Sequence, residues 1–247
     1  MGKVGECGTI GKKRGAESTS VSGNEAVELR QFDNVENMTR ATVGLLAEAF
    51  RREGHAPYGV MLSGGRTPLN AYGTLTRNPV VPSTSLHILF SDERVAPPDS
   101  PQSNYGNARA MIRALGVPED RVLRVRGEIP VDEAAERYDR DLAGFIDKGG
   151  SLPLGLLGLG ADGHTASLFS LDDVERARRR FAVPVSREPK PDRVSVTPDL
   201  LARFERIVFL VSGPEKAGVI ETLLREPAAL PAGRAVARAS RVEIWAS

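Results

Sequence analysis

One segment of the chain puts an aspartate two residues before a histidine in a glycine-rich stretch: Gly158-Leu159-Gly160-Ala161-Asp162-Gly163-His164-Thr165-Ala166-Ser167-Leu168-Phe169. A carboxylate at that spacing can orient an imidazole, and histidine is the side chain best suited to proton transfer near neutral pH. The first six residues also match G-x-G-x-x-G formally. A dinucleotide site would need an acidic residue closing the next strand, about 20 residues on. The chain has Phe181-Ala182-Val183 there, so the match is read as accidental.

Three further clusters pair small residues with charge. Ser63-Gly64-Gly65-Arg66-Thr67-Pro68 reads as a glycine turn into a helix, with Thr67 expected as N-cap and Pro68 at the first helical position. Such a turn aims backbone N–H groups and a helix N-terminus at an anion such as a phosphate. The pattern G-x-x-x-x-G-K-[ST] of a nucleotide triphosphate loop is absent. Ser91-Asp92-Glu93-Arg94 places a carboxylate, Asp92, to orient a substrate hydroxyl or a histidine, and a guanidinium, Arg94, to grip a phosphate. Ser212-Gly213-Pro214-Glu215-Lys216-Ala217 opens another helix, with Lys216 as a point charge. Taken singly, each has a plain alternative: an empty turn, a surface ion pair, a solvated lysine.

Position favours the functional reading. Short apolar runs at Tyr58 to Leu62, Leu86 to Phe90, Leu152 to Leu159 and Ile207 to Val211 immediately precede the four clusters. Helical patterns lie among them at Val35 to Phe50, Thr67 to Leu75, Asn104 to Leu115, Asp132 to Ile146 and Pro214 to Leu224. Continuous apolar strands alternating with helices imply a mostly parallel sheet covered on both faces, which binds ligands outside its carboxyl edge. Weaker strands are expected at Ala182 to Val185, Val194 to Val196 and Val242 to Trp245, the last as an edge or closing strand.

Composition narrows the partners. The 247 residues are 40% hydrophobic and 26% charged, near globular averages, with a formal charge of +1. That balance lacks the basic excess of a dedicated nucleic-acid binder. The run Arg176-Ala177-Arg178-Arg179-Arg180 follows Asp172, Asp173 and Glu175 and reads as a solvated helix face. Cys7 is the single cysteine, and His55, His87 and His164 show no ligand spacing, so no disulfide and no metal are expected. No apolar run reaches the roughly 18 residues of a membrane helix, and the cytoplasm is the expected location. Residues 1–24, rich in Gly, Ser and Lys, read as a disordered leader, and 25–247 as a single domain, expected to be monomeric.

Together the ordered motifs resemble those of the 6-phosphogluconolactonases: Ser63-Gly64-Gly65-x-Thr67-Pro68, Ser91-Asp92-Glu93-Arg94 with Ser103-Asn104, Asp162-Gly163-His164-Thr165-Ala166-Ser167-Leu168-Phe169, and Gly213-x-x-Lys216-Ala217. The resemblance spans nearly the whole chain after the leader. It implies a three-layer Rossmann-like α/β/α domain, similar to glucosamine-6-phosphate deaminase, working without cofactor in the oxidative pentose phosphate pathway. The implied reaction is hydrolysis of 6-phospho-D-glucono-1,5-lactone to 6-phospho-D-gluconate. His164, Asp162 and Asp92 would then be the catalytic set, and Ser63, Gly64, Gly65, Arg94 and Lys216 the phosphate site. A deaminase would read approximately Asp-Glu-Tyr and Asp-Gly-His-Ile-Ala-Phe-Asn-Glu, against Arg94 and the Thr165 to Phe169 stretch here. A silent sugar-phosphate sensor would usually carry a DNA-binding helix-turn-helix, for which the leader is too short and polar. Arg66 and Ser170 depart from the usual lactonase pattern.

Overall fold

The computed structural model describes residues 27–247, so the leader expected at 1–24 lies outside the described residues. From the N-terminal side the elements are β1 (Glu28–Gln31), α1 (Val35–Phe50), β2 (Tyr58–Leu62), α2 (Arg66–Arg77), β3 (Leu86–Phe90), β4 (Asp92–Arg94), α3 (Asn104–Ala114), α4 (Val131–Asp147) and β5 (Ser151–Leu157). They continue with α5 (Leu171–Arg176), β6 (Ala182–Val185), β7 (Arg193–Val196), α6 (Pro198–Leu201), β8 (Ile207–Val211), α7 (Ala217–Arg225), α8 (Pro231–Ala235) and β9 (Val242–Ala246).

Six strands form one sheet in the order β1-β9-β8-β5-β2-β3, with every pair parallel. The apolar runs have no polar alternation because both faces are covered. Tyr58, Val60 and Leu62 of β2 and Leu86, Ile88 and Phe90 of β3 point into a core shared with α1, α2 and α3. Met61 and Leu89, one residue out of phase, point into the opposite core with Tyr138, Leu142 and Phe145 of α4 and Leu223 of α7. Helix α1 shows how the helices meet this sheet: Met38, Thr42, Leu46 and Phe50 make a buried stripe at a spacing of four, and Asn34 caps the helix by accepting from the N–H of Asn37.

The expected α/β/α architecture with a mostly parallel sheet is present. Four details differ. Val242 to Trp245 is not an edge: β9 lies between β8 and β1 and is buried throughout, while β1 takes the edge. Its four residues alternate Glu-Leu-Arg-Gln, too short and polar to register as a buried strand. The apolar run at Leu152 leaves the sheet at Leu157, before Leu159. The helix expected at Pro214 begins as a single 3-10 turn, Pro214–Lys216, before α7. Finally, Ala182–Val185 and Arg193–Val196 pair in a separate antiparallel sheet of order β4-β7-β6, which brings Asp92 to Arg94 alongside Arg193 to Ser195.

Candidate active site

The strand order puts β8, β5, β2 and β3 side by side, so their carboxyl ends present the four motifs consecutively along one edge. From β2 the chain crosses to β3 on one side and later returns to β5 on the other, which makes the carboxyl edge between β2 and β5 the topological switch point, where sheets of this kind bind ligands.

After β5 the backbone folds into a tight loop. Gly160 N–H donates to the His164 carbonyl (2.8 Å), and Gly163 N–H to the Gly160 carbonyl (3.1 Å). A side chain at Gly160 would stand 2.1 Å from His164 Nδ1 and 2.3 Å from Asp162 Oδ1, so only glycine lets these two groups close over it. Gly163 takes φ 82°, the left-handed region. Within this loop Asp162 Oδ1 lies 2.5 Å from His164 Nδ1. A carboxylate accepts there from Nδ1–H, which leaves Nε2 with a free lone pair and open to take a proton. Burial works against the Asp162 charge, but the hydrogen bonds and charge of His164 outweigh it and hold the carboxyl below its usual range. The imidazole is 29% exposed and so reachable from solvent. Its ring packs against that of Phe169 in a tilted arrangement, centroids 4.7 Å apart and planes at 49°.

The loop is tied past β2 to the end of β3 through Asp92. Asp92 Oδ2 accepts from the Ser167 hydroxyl (2.8 Å), and Oδ1 accepts from Ser91 (3.1 Å) and Asn104 Nδ2 (3.1 Å). Ser167 N–H also donates to Ser195 of β7 (3.1 Å). Asp92 therefore joins the end of β3, the start of α3 and the histidine loop.

Beside it, Glu93 is only 2% exposed and accepts four hydrogen bonds: from the N–H groups of Arg94, Asn104 and Tyr105, and from the Ser103 hydroxyl. It secures the first turn of α3 together with the N-cap Ser103. Burial pushes the Glu93 carboxyl upward against these four donors. Neither Glu93 nor Asn104 was assigned a role from sequence. A buried Glu three residues into a charged cluster looks like any surface ion pair until its donors, ten to twelve residues away, come into place.

The Ser63 turn follows β2. Its N-cap is Gly65 with φ 103°, and Thr67, expected to cap, lies inside α2. Extended backbone at positive φ suits glycine at that corner, and Thr67 instead meets Ser212 after β8 (Oγ to Oγ 3.0 Å). A side chain on Gly64 would sit 2.1 Å from Asn104 Oδ1, so the turn and α3 touch. The Tyr72 hydroxyl accepts from Ser63 N–H and donates to the Ser63 carbonyl, which satisfies both where the ladder ends. Tyr138 does the same for Phe90 at the end of β3. Ser63 Oγ is buried with no hydrogen-bond partner among the described residues.

Lys216 reaches across β8 to β5, donating to the Leu159 carbonyl (2.8 Å). Arg94 donates through Nη1 to the Gln102 carbonyl (2.6 Å), while its Nε is buried without a partner. Arg193, opposite Arg94 across β4 and β7, carries no ion pair among the described residues, and burial together with Arg94 and Arg187 lowers its pKa. Its position on a strand not read as part of the carboxyl edge hid it from sequence. Arg176 and Arg178 are exposed and paired with Asp172 and Glu175, so the run is solvated as expected, but it is not a helix face: α5 ends at Arg176 and Arg178 to Arg180 lie in the turn after it, Arg179 at φ 66°. Among the described residues no three His, Cys, Asp or Glu side chains converge to hold a metal ion, and no helix is long and apolar enough to cross a membrane.

An open parallel α/β sheet whose carboxyl edge joins an Asp–His pair to a glycine turn and two cationic side chains defines a class of protein suited to acid–base chemistry on a small anionic ligand. Within that class, residues 32–245 match the model of the glucosamine-6-phosphate isomerases/6-phosphogluconolactonase family, and the chain belongs to this family. It is 34% identical over 168 residues to a 6-phosphogluconolactonase of Thermotoga maritima, covering 68% of this chain and 74% of that one. Its identity to the Homo sapiens 6-phosphogluconolactonase is 37% over 143 residues, covering 56% and 55% respectively. The crystal structure of a Thermotoga maritima 6-phosphogluconolactonase superposes with a TM-score of 0.74 at 28% identity, covering 90% of this chain and 98% of that one. A monomeric glucosamine-6-phosphate deaminase shares the fold, with a TM-score of 0.70 at 18% identity, 88% of this chain and 96% of that one being covered.

Proposed function

We propose that this chain hydrolyses 6-phospho-D-glucono-1,5-lactone to 6-phospho-D-gluconate, the lactonase step of the oxidative pentose phosphate pathway. The observation that carries the reading is the Asp162–His164 pair, 2.5 Å apart with the imidazole partly exposed, after the strand next to the one that leads into the Ser63–Gly65 turn.

A lactone carbonyl is already electrophilic, so catalysis needs orientation, a base for water and an acid for the ring oxygen. His164 Nε2 takes a proton from water as the oxygen attacks C1. The tetrahedral intermediate then collapses, the C1 to ring-oxygen bond breaks, and the imidazolium returns the proton to that oxygen. Asp162 holds the Nδ1–H tautomer and stabilises the transient imidazolium. Asp92 acts by positioning: its three hydrogen bonds hold the histidine loop against β3 and α3. The phosphate, remote from the reacting carbon, is held by Ser63, Gly64 and Gly65 with Arg94 and Lys216, and that anchorage is used to orient the carbonyl. The unpartnered Ser63 Oγ and Arg94 Nε support this assignment, since each leaves a polar atom free for a ligand oxygen. The same reading takes 25–247 as one domain, monomeric and cytoplasmic, with the sugar-phosphate lactone as its partner.

The test generates the lactone in situ by oxidation of glucose 6-phosphate and follows its decay with and without the protein, spontaneous hydrolysis being the control. Accelerated decay that is lost in His164→Ala supports the reading. Decay at the spontaneous rate with the intact chain overturns it.

A further inference from the structure

We propose that Arg187 is a positioning residue for His164, acting through the ring of Phe169. The guanidinium carbon of Arg187 lies 3.8 Å from the Phe169 ring centroid, and the same ring has the His164 imidazole as a neighbour at 4.7 Å. Phe169 is thus in contact with both groups, its ring tilted 49° to the imidazole, while Asp162 fixes the imidazole at its Nδ1 edge. The hydrogen bond alone fixes one atom of the ring and leaves rotation about it open. Contact with the tilted Phe169 ring restricts that rotation and so helps set where Nε2 points.

Phe169 needs a support of its own, because it is only half-buried. Its backbone is held by Asp173, whose Oδ2 accepts from the N–H groups of Phe169 (3.0 Å) and Ser170 (2.9 Å) while Ser170 caps α5. The departure at Ser170 from the usual lactonase pattern therefore supplies this cap. The aromatic ring is held from outside by Arg187, and a cation over an aromatic face is attractive. Among the described residues the Arg187 guanidinium has no ion pair and no hydrogen bond, so the ring is its principal contact. The loop carrying it is tied down: Asp192 Oδ1 accepts from the Arg187 N–H (3.1 Å), the Ser186 hydroxyl (3.4 Å) and the Lys190 ammonium (2.8 Å). The chain of support runs from Asp192 to the Arg187 backbone, from the guanidinium to Phe169, and from Phe169 to the imidazole.

This inference rests on the lactonase reading for its kinetic test and on geometry alone for its spectroscopic one. In the full-length protein, Arg187→Ala is expected to lower kcat about three- to tenfold with KM changed less than about twofold, because substrate binding is retained while the base is misaligned. Arg187→Lys, which keeps a cation over the ring, is expected to recover most of the loss. The imidazole proton signals of His164, separable from those of His55 and His87 by comparison with His164→Ala, should shift in Arg187→Ala, where the Phe169 ring loses its support and moves from the imidazole, in the same direction as in Phe169→Leu, where its ring current is removed. A KM that rises with kcat unchanged would make Arg187 a substrate contact and overturn the proposal. So would His164 signals that stay in place. If the wild-type protein fails to accelerate lactone decay, the lactonase reading falls, and the imidazole signals still decide whether Arg187 and Phe169 position His164.

Discussion

Replacing Glu93 by Gln changes one oxygen to an amide nitrogen in a site built wholly from donors. Oε1 accepts from the N–H groups of Arg94 (2.8 Å) and Asn104 (2.7 Å), and Oε2 from Tyr105 N–H (2.8 Å) and the Ser103 hydroxyl (3.0 Å). The less costly orientation puts the new NH2 at the Oε2 position, because the Ser103 hydroxyl can turn and accept from it. Tyr105 N–H then faces another donor and loses its partner, which costs about 1–3 kcal/mol, and the two bonds to Oε1 lose their charge assistance. Removing a carboxylate that burial disfavours offsets part of this. A net loss of about 2 kcal/mol follows, equivalent to roughly 4–8 °C in Tm for a domain of this size. Urea unfolding and a thermal scan measure it directly. Because Asn104 meets both Glu93 and Asp92 and abuts Gly64, kcat should fall as well. A stability within about 0.5 kcal/mol of wild type would refute the view that the three bonds from Ser103, Asn104 and Tyr105 hold the first turn of α3 to β4.

Gly64→Ala would bring a methyl group 2.1 Å from Asn104 Oδ1, displacing Asn104 from Asp92; a rise in KM of about tenfold, on the order of 1.4 kcal/mol, is expected in the coupled lactone assay. Tyr138→Phe strips the partner from both backbone groups of Phe90 and should cost about 2 kcal/mol in urea unfolding. Glu243 accepts from both ends of the Arg206 fork and from Trp245 Nε1. Burial opposes its charge, but Arg206, Trp245 and Arg241 outweigh burial and hold its carboxyl below the usual range. A depressed folded-state pKa contributes stability above the unfolded value, near about 4.3, and that contribution disappears as pH falls through the folded value. Glu243→Gln should therefore lower stability by about 2–3 kcal/mol at pH 7 and flatten the acid limb of a stability-versus-pH curve.

How far the chain discloses its own fold depends on how much of each element is decided locally. The central strands were legible because burial on both faces leaves an uninterrupted apolar run, and the helices because their stripes repeat at three and four. β1 was not, since its Glu28 and Arg30 face outward and its pairing with β9 joins residues more than two hundred positions apart. β4 was hidden for a related reason: Asp92 to Arg94 reads as a charged loop, and becomes a strand only because Arg193 to Ser195 lies antiparallel to it.

The same distinction separates the parts of the site. The Asp162–His164 pair, the glycine turn at Ser63 to Gly65 and the cation at Lys216 are each contained within a few residues and sit at the end of a readable strand. The groups that hold them are long-range by construction. Ser167 meets Asp92 across 75 positions, Tyr138 meets Phe90 across 48, and Ser195 reaches Ser167 across 28. A serine or tyrosine has no local feature to distinguish such a role, because its chemistry there is one hydrogen bond to a partner the sequence does not place beside it. Asp92 shows the consequence. Its type and position suggested chemistry, yet its two oxygens accept from three neighbours that belong to β3, α3 and the histidine loop. A carboxylate so occupied transmits position from the end of β3 to the loop after β5, and its removal should disturb His164 without touching the proton that His164 carries.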